Sequence, residues 1–132
     1  MSRLLYIKAS PRGASSKSSA VADAYLAALR GRLPDLVVDT LDLAQERIPD
    51  FDGDKVAAKK AVLALTSGAY GPSMPSPAFG IDHHSTYLRA WLNQAGVTDI
   101  AEIRFQPTLL TSDPEAGFKA AVAEAQALAA RA

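Results

Sequence analysis

Residues Leu4 to Val21, LLYIKASPRGASSKSSAV, confine this chain to a narrow set of folds. The run Leu4-Leu5-Tyr6-Ile7 is short, apolar and rich in β-formers, which marks a buried strand. Ser10-Pro11-Arg12-Gly13 breaks it with turn residues. Ser15-Ser16-Lys17-Ser18-Ser19 then leads directly into Ala20-Val21-Ala22-Asp23-Ala24-Tyr25-Leu26, which is helical in composition and spacing. Strand, turn and a helix crowded with hydroxyls at its start make a cradle for an anion. The first N–H groups of a helix lack intrahelical acceptors, and the helix dipole places roughly half a positive charge beside them. The serine hydroxyls and the charge of Lys17 or Arg12 add to that field. One serine here would be an N-cap, worth ~1 kcal/mol to the helix. Five hydroxyls around one β-to-α turn point instead to a phosphate. The motif is neither the Gly-Lys-Ser/Thr of a P-loop nor the G-x-G-x-x-G of a dinucleotide fold.

The 132 residues suit one domain over 1–132, with 48 % apolar and 21 % charged residues, as in ordinary globular proteins. Fourteen basic residues balance fourteen acidic ones. That zero net charge, without a basic block, argues against nucleic acid or an anionic membrane as partner. The absence of cysteine excludes disulfides, thiolate metal sites and thiol nucleophiles. The chain enters its first strand without a signal-peptide layout and has no long apolar span, so a cytoplasmic protein is expected.

Beyond the loop, the spacing predicts a helix from about Ser16 to Arg30, with Val21, Tyr25, Ala28 and Leu29 inward and Gly31 and Pro34 ending it. Leu36 to Leu43 reads as a second strand, placed at a sheet edge by its aspartates. Ala44 to Ala58 shows no firm element. Ala61-Val62-Leu63-Ala64-Leu65-Thr66 is a second buried parallel strand, followed by a Gly- and Pro-rich loop from Ser67 to Asp82. Asp82 or Ser85 caps the next helix, whose core face is Tyr87, Leu88, Trp91, Leu92 and Ala95, closed by Gly96. Asp99 to Phe105 is a strand. Ser112 and Glu115 form a capping box for a last helix, which turns Phe118, Val122, Ala125 and Leu128 inward. The order β-α-β, loop, β-α-β-α predicts an α/β fold, a parallel sheet with helices on both faces.

The phosphate loop, Lys8-Ala9-Ser10-Pro11-Arg12-Gly13 with Ser16-Lys17-Ser18, resembles that of the flavodoxin-like, FMN-dependent NADH:quinone oxidoreductases, or azoreductases. The resemblance continues through Asp42-Leu43-Ala44 and Ile48-Pro49-Asp50-Phe51-Asp52-Gly53, then from Lys60-Ala61-Val62 to the end. It implies a flavodoxin-like three-layer α/β/α fold with Ser10, Ser16, Lys17 and Ser18 holding the FMN phosphate. Ser67, Gly68, Ala69 and Tyr70 take the place of the family's Ser-Arg-Gly-Gly turn, which borders the isoalloxazine edge. Gly68 and Ala69 depart from that pattern, and their small size preserves a backbone role. The resemblance further implies NAD(P)H as donor, quinones or azo compounds as acceptors, and a homodimer.

One block of the family is missing. Between Gly53 and Lys60 the family has another strand and helix, with a Pro-Met-Tyr-Asn-Phe signature against the flavin ring. The nearest composition, Pro75-Ser76-Pro77-Ala78-Phe79, follows a different strand. Flavodoxin-like sheets run in the order 2-1-3-4-5, with FMN at the switch between strands 1 and 3. Without strand 3, that crevice loses a wall. Either a four-stranded sheet in the order 2-1-4-5 closes up, or unpaired edges are covered by a second chain. Two functional readings result, an FMN oxidoreductase or a truncated, catalytically silent binding module. A receiver domain is excluded, because its strand ends carry clustered aspartates where Lys8-Ala9-Ser10 stands here. His83 and His84, adjacent on a helix, point about 100° apart and share no ligand face. No Ser-His-Asp or Cys-His arrangement can be argued from the sequence, which suits chemistry carried by a cofactor.

Overall fold

The computed structural model describes residues 2–45, 59–70 and 82–132. Its elements are β1 (Arg3–Lys8), α1 (Lys17–Arg32), β2 (Val37–Asp42), β3 (Lys60–Thr66), α2 (His83–Gln94), β4 (Asp99–Phe105) and α3 (Pro114–Ala129). A 3-10 turn, Gly13–Ser15, joins the β1 loop to α1. Each of these helices and strands matches a segment expected from the sequence. The Lys55–Lys60 region and the Pro75–Phe79 motif fall largely or wholly outside the described residues.

The strands pair in parallel, as the β-α-β order requires. β1 pairs with β2 from Arg3↔Val37 to Lys8↔Asp42, and β3 with β4 from Lys60↔Asp99 to Thr66↔Phe105. These ladders form two sheets of two strands rather than one of four.

The first unit comprises residues up to Pro49 and from Lys119 onward. Its α1 buries Val21, Tyr25, Leu26 and Leu29, close to the expected face. The helix runs through Gly31 to Arg32, and the Leu33 N–H bonds back to the Leu29 carbonyl at 2.8 Å. Arg32 donates to the Ala129 carbonyl at 3.1 Å. In α3, Ala121, Ala125 and Ala129 form the buried row, with Val122 and Leu128 half-buried beside it. Alanines at i, i+4 and i+8 let a helix sit close to its neighbours.

Here β1 corrects the sequence reading. Leu4, Tyr6 and Lys8 are half-buried, but Leu5 and Ile7 are 60 % and 53 % exposed. A parallel strand is buried on both faces only when helices cover both, and the Leu5–Ile7 face is uncovered.

The second unit spans Asp50 to Phe118. Its β4 alternates cleanly: Ile103 and Phe105 are buried, while Glu102, Arg104 and Gln106 occupy the other face. Phe105 meets Phe118 at 5.7 Å between ring centroids, tilted by 56°. Gly117 makes room for that ring, since a Cβ there would lie 3.2 Å from Phe105. Gly96 closes α2 with φ of 85°, the left-handed cap that favours glycine.

Two helix details differ from expectation. Tyr87 and Trp91 are 69 % and 45 % exposed, not core residues, because α2 turns the Ser85, Leu88, Leu92 and Ala95 row inward. Tyr87 and Trp91 stand one residue behind that row, about 100° round the helix. For α3 the cap is Asp113, whose carboxylate accepts from the Ala116 N–H at 2.9 Å. Pro114 at the first helical position suits this arrangement, and Ser112 is not used as the cap.

Candidate functional site

In the first unit, the loop after β1 is folded by its own side chains. Ser10 Oγ accepts from the Arg12 N–H at 3.4 Å, and the Ser15 and Ser16 N–H groups bond to the Arg12 and Gly13 carbonyls, each at 3.1 Å. Gly13 has φ of 53°, in the left-handed region where a side chain strains the backbone. Ser16, 3 % exposed, is the N-cap of α1 and accepts from the Ser19 N–H at 3.1 Å. Its hydroxyl also lies 3.1 Å from that of Ser18. Ser16 holds the helix start, while Lys17 and Ser18 occupy the first turn, where the dipole is strongest.

A cavity of about 370 Å³ opens beside this loop, lined by Lys8, Gly13, Ser16, Ser19, Asp23 and Asp42. Lys8 lies 3.9 Å from the Asp42 carboxylate. Asp42 also accepts from the Ala44 N–H at 3.0 Å, fixing the turn after β2. Two carboxylates against one ammonium make this space unfavourable for phosphate. The Tyr6 hydroxyl is buried with no well-aligned hydrogen bond among the described residues; burial raises its pKa, with the nearby Ser19 hydroxyl acting against the shift and Asp23 with it.

In the second unit, Ser67 to Tyr70 form a turn at the C-terminal end of β3. Ser67 Oγ accepts from the Tyr70 N–H at 3.1 Å. The Ser67 carbonyl accepts from the Thr108 N–H at 2.7 Å, and the Gly68 carbonyl from the Leu109 and Leu110 N–H groups at 2.9 and 3.1 Å. The N–H groups of Gly68 and Ala69 donate to no acceptor among the described residues. Small residues with free N–H groups at a strand end allow close approach of a ligand. His83 and His84 are exposed at the start of α2.

Asp82 caps α2, one of the two caps expected, but sequence reasoning missed the polar cluster built round it. Asp82 caps the helix, accepting from the His84 and Ser85 N–H groups at 3.1 and 2.9 Å and from the Ser85 hydroxyl. Arg104 donates to Asp82 at 3.2 Å, to Ser85 at 2.6 Å, to Gln106 Oε1 at 3.0 Å and to Glu102. Arg89 pairs with the same Glu102. The signal was the alternation Glu102-x-Arg104-x-Gln106, three polar groups on one strand face. Burial alone would raise the Asp82 carboxyl, but the Ser85 donors and Arg104 outweigh it and hold it at about 2. Burial is likewise outweighed at Glu102, where Arg89 and Arg104 lower the pKa. A depressed folded-state pKa adds stability above the ordinary carboxylate range, lost as pH falls from about 4 toward 2. Asp82→Asn should flatten that acid limb in urea unfolding measured across the window. An unchanged limb would show that the Asp82 pair contributes nothing there.

A family model described as a flavodoxin-like fold matches residues 2–58 and 52–129. The FMN-dependent NADH:quinone oxidoreductase of Ruegeria pomeroyi is 32 % identical over 200 aligned positions, covering 93 % of this chain and 98 % of the relative. An azoreductase structure from Bacillus anthracis strain Sterne matches with a TM-score of 0.78 at 14 % identity, over all of both chains. An FMN-dependent NADH-azoreductase from Bacillus anthracis strain Ames Ancestor, in complex with FMN, gives 0.73 at 15 % identity over 99 % of each. These two likenesses attest the fold. The 200 aligned positions outnumber this chain's 132 residues, so the Ruegeria relative carries residues that this chain lacks. The two matched segments of the family model meet within 52–58, where the sequence puts the missing strand and helix. With most of its length matched by the family model and a relative at 32 % identity, the chain belongs to the flavodoxin-like family of the FMN-dependent NADH:quinone oxidoreductases.

Proposed function

We propose that this chain is an FMN-dependent oxidoreductase that takes two electrons from NAD(P)H and passes them to quinones or azo compounds. The observation that carries this reading is the start of α1, where the Ser16 cap, Lys17 and Ser18 stand together at the positive end of the helix. The residues present fit a flavin phosphate: hydroxyls at Ser10 and Ser18, cations at Arg12 and Lys17, and the positive end of a sixteen-residue helix. For the ring edge the reading rests on the resemblance of the Ser67–Tyr70 turn, whose Gly68 and Ala69 N–H groups donate to no acceptor among the described residues. FMN, when bound, supplies the hydride chemistry, and the chain's share is to bind and orient. A cytoplasmic setting suits an NAD(P)H-dependent reaction.

The second reading, a silent module, is favoured by the residues missing relative to the Ruegeria protein. An absorbance spectrum of the purified chain, followed by titration with FMN, separates the two. Flavin bands that persist through gel filtration support the oxidoreductase; a colourless chain that takes up no added FMN removes it.

Leu5 and Ile7 lie exposed two positions apart on one strand face, and Tyr87 and Trp91 lie exposed one turn apart on α2; apolar faces of this kind favour association. Self-association, as a homodimer, is therefore the expected state at micromolar concentration, with slow NADH-dependent quinone reduction because the flavin is poorly enclosed. Sedimentation beside a quinone-reduction assay tests both halves. A compact monomer with brisk turnover would show that the missing segment is dispensable.

A further inference from the structure

Gln106 lies one residue beyond Phe105, the last paired position of β4. Arg104 donates to its Oε1 at 3.0 Å, and because a guanidinium only donates, this contact decides which way the amide points. Nε2, with its two N–H groups, is therefore the end turned from Arg104. That nitrogen is buried and meets no acceptor among the described residues. A buried donor left unpaired is costly, and native chains retain few without a use. The fold has no evident need of this one. Arg104 is already engaged by Asp82, Ser85 and Glu102, so an apolar side chain at 106 would leave the cluster anchored.

Position supplies the use. The residues directly after Gln106 run along the Ser67–Tyr70 turn, through the Thr108, Leu109 and Leu110 N–H bonds to the Ser67 and Gly68 carbonyls. C-terminal strand ends are where open α/β sheets take their ligands. We infer that Gln106 is a further ring-binding residue, whose Nε2 donates a hydrogen bond to an acceptor atom on the edge of the flavin ring system. This rests on the FMN reading above and adds a ring contact from β4 to the turn after β3. The Thr108–Leu110 loop beside that turn carries two exposed leucines.

The test compares FMN with riboflavin, by fluorescence titration, on the parent chain, Gln106→Met and Gln106→Glu. Methionine removes the donor at similar volume; glutamate replaces it with an acceptor while keeping a partner for Arg104. Because the contact is to the ring, both flavins should weaken by the same factor, about fivefold for methionine and more than tenfold for glutamate. The thermal midpoint of the flavin-free variants should stay near that of the parent. Unchanged affinity, a loss confined to FMN, or a loss that follows a lowered midpoint would each overturn the ring contact while leaving the FMN reading intact. A parent chain that binds neither flavin overturns both.

Discussion

Replacing Lys17 and Ser18 together by alanine should weaken FMN binding by ~3 kcal/mol, about a hundredfold, and leave riboflavin affinity unchanged. The magnitude comes from two charge-assisted hydrogen bonds to a phosphate, each ~1.5–3 kcal/mol. Riboflavin shares the ring and lacks the phosphate, so it reports on everything else the site does. The helix itself should survive, because its cap is Ser16 to Ser19, and neither replaced residue supplies that bond. Circular dichroism of the double variant checks this directly. Equal losses for both flavins would show that the α1 start holds no phosphate.

The second large effect belongs to the core. Phe105→Ala should destabilise the chain by ~3–5 kcal/mol, the usual cost of emptying a buried aromatic site. Phe105 is buried, its ring lies against Phe118, and Gly117 is shaped to receive it. Small domains have ~5–15 kcal/mol in total, so a large fall in the urea midpoint is expected. Tyr87→Ala is the matched control, since an exposed aromatic should cost within about 0.5 kcal/mol. A loss under ~1 kcal/mol at Phe105, or a comparable one at Tyr87, would reverse the assignment of inner and outer faces.

Much of this architecture was legible because its signals are local. Ser16 before a helical run, Gly96 after one, and Asp99 to Phe105 as a strand follow from short-range rules of capping and alternation. What was not legible depends on cover supplied from elsewhere. Leu5 and Ile7 read as buried, because an apolar run carries no record of whether a helix lies on each face. Tyr87 and Trp91 share helical spacing with Leu88 and Leu92, and periodicity fixes a stripe only to within about one residue. The Arg104 cluster joins residues some twenty positions apart, beyond the reach of any short motif. The Ser16-Lys17-Ser18 and Ser67-Gly68-Ala69-Tyr70 stretches were found by their likeness to a family loop and turn. The structure adds that Ser16 caps α1 and that Ser67 holds its turn through the Tyr70 N–H.

The contact between Gly68 and Leu109 bears on how freely this chain could drift back toward its relatives. A Cβ at position 68 would lie 3.2 Å from the Leu109 Cδ1, so the arginine that the family resemblance puts there meets that leucine first. Leu109 is 79 % exposed and touches position 68 with the far end of a flexible side chain. It can swing into solvent at little cost, unlike a backbone atom or a packed ring. One substitution could place an arginine there without a permissive change elsewhere, whereas any side chain at Gly117 would press on the buried Phe105 ring.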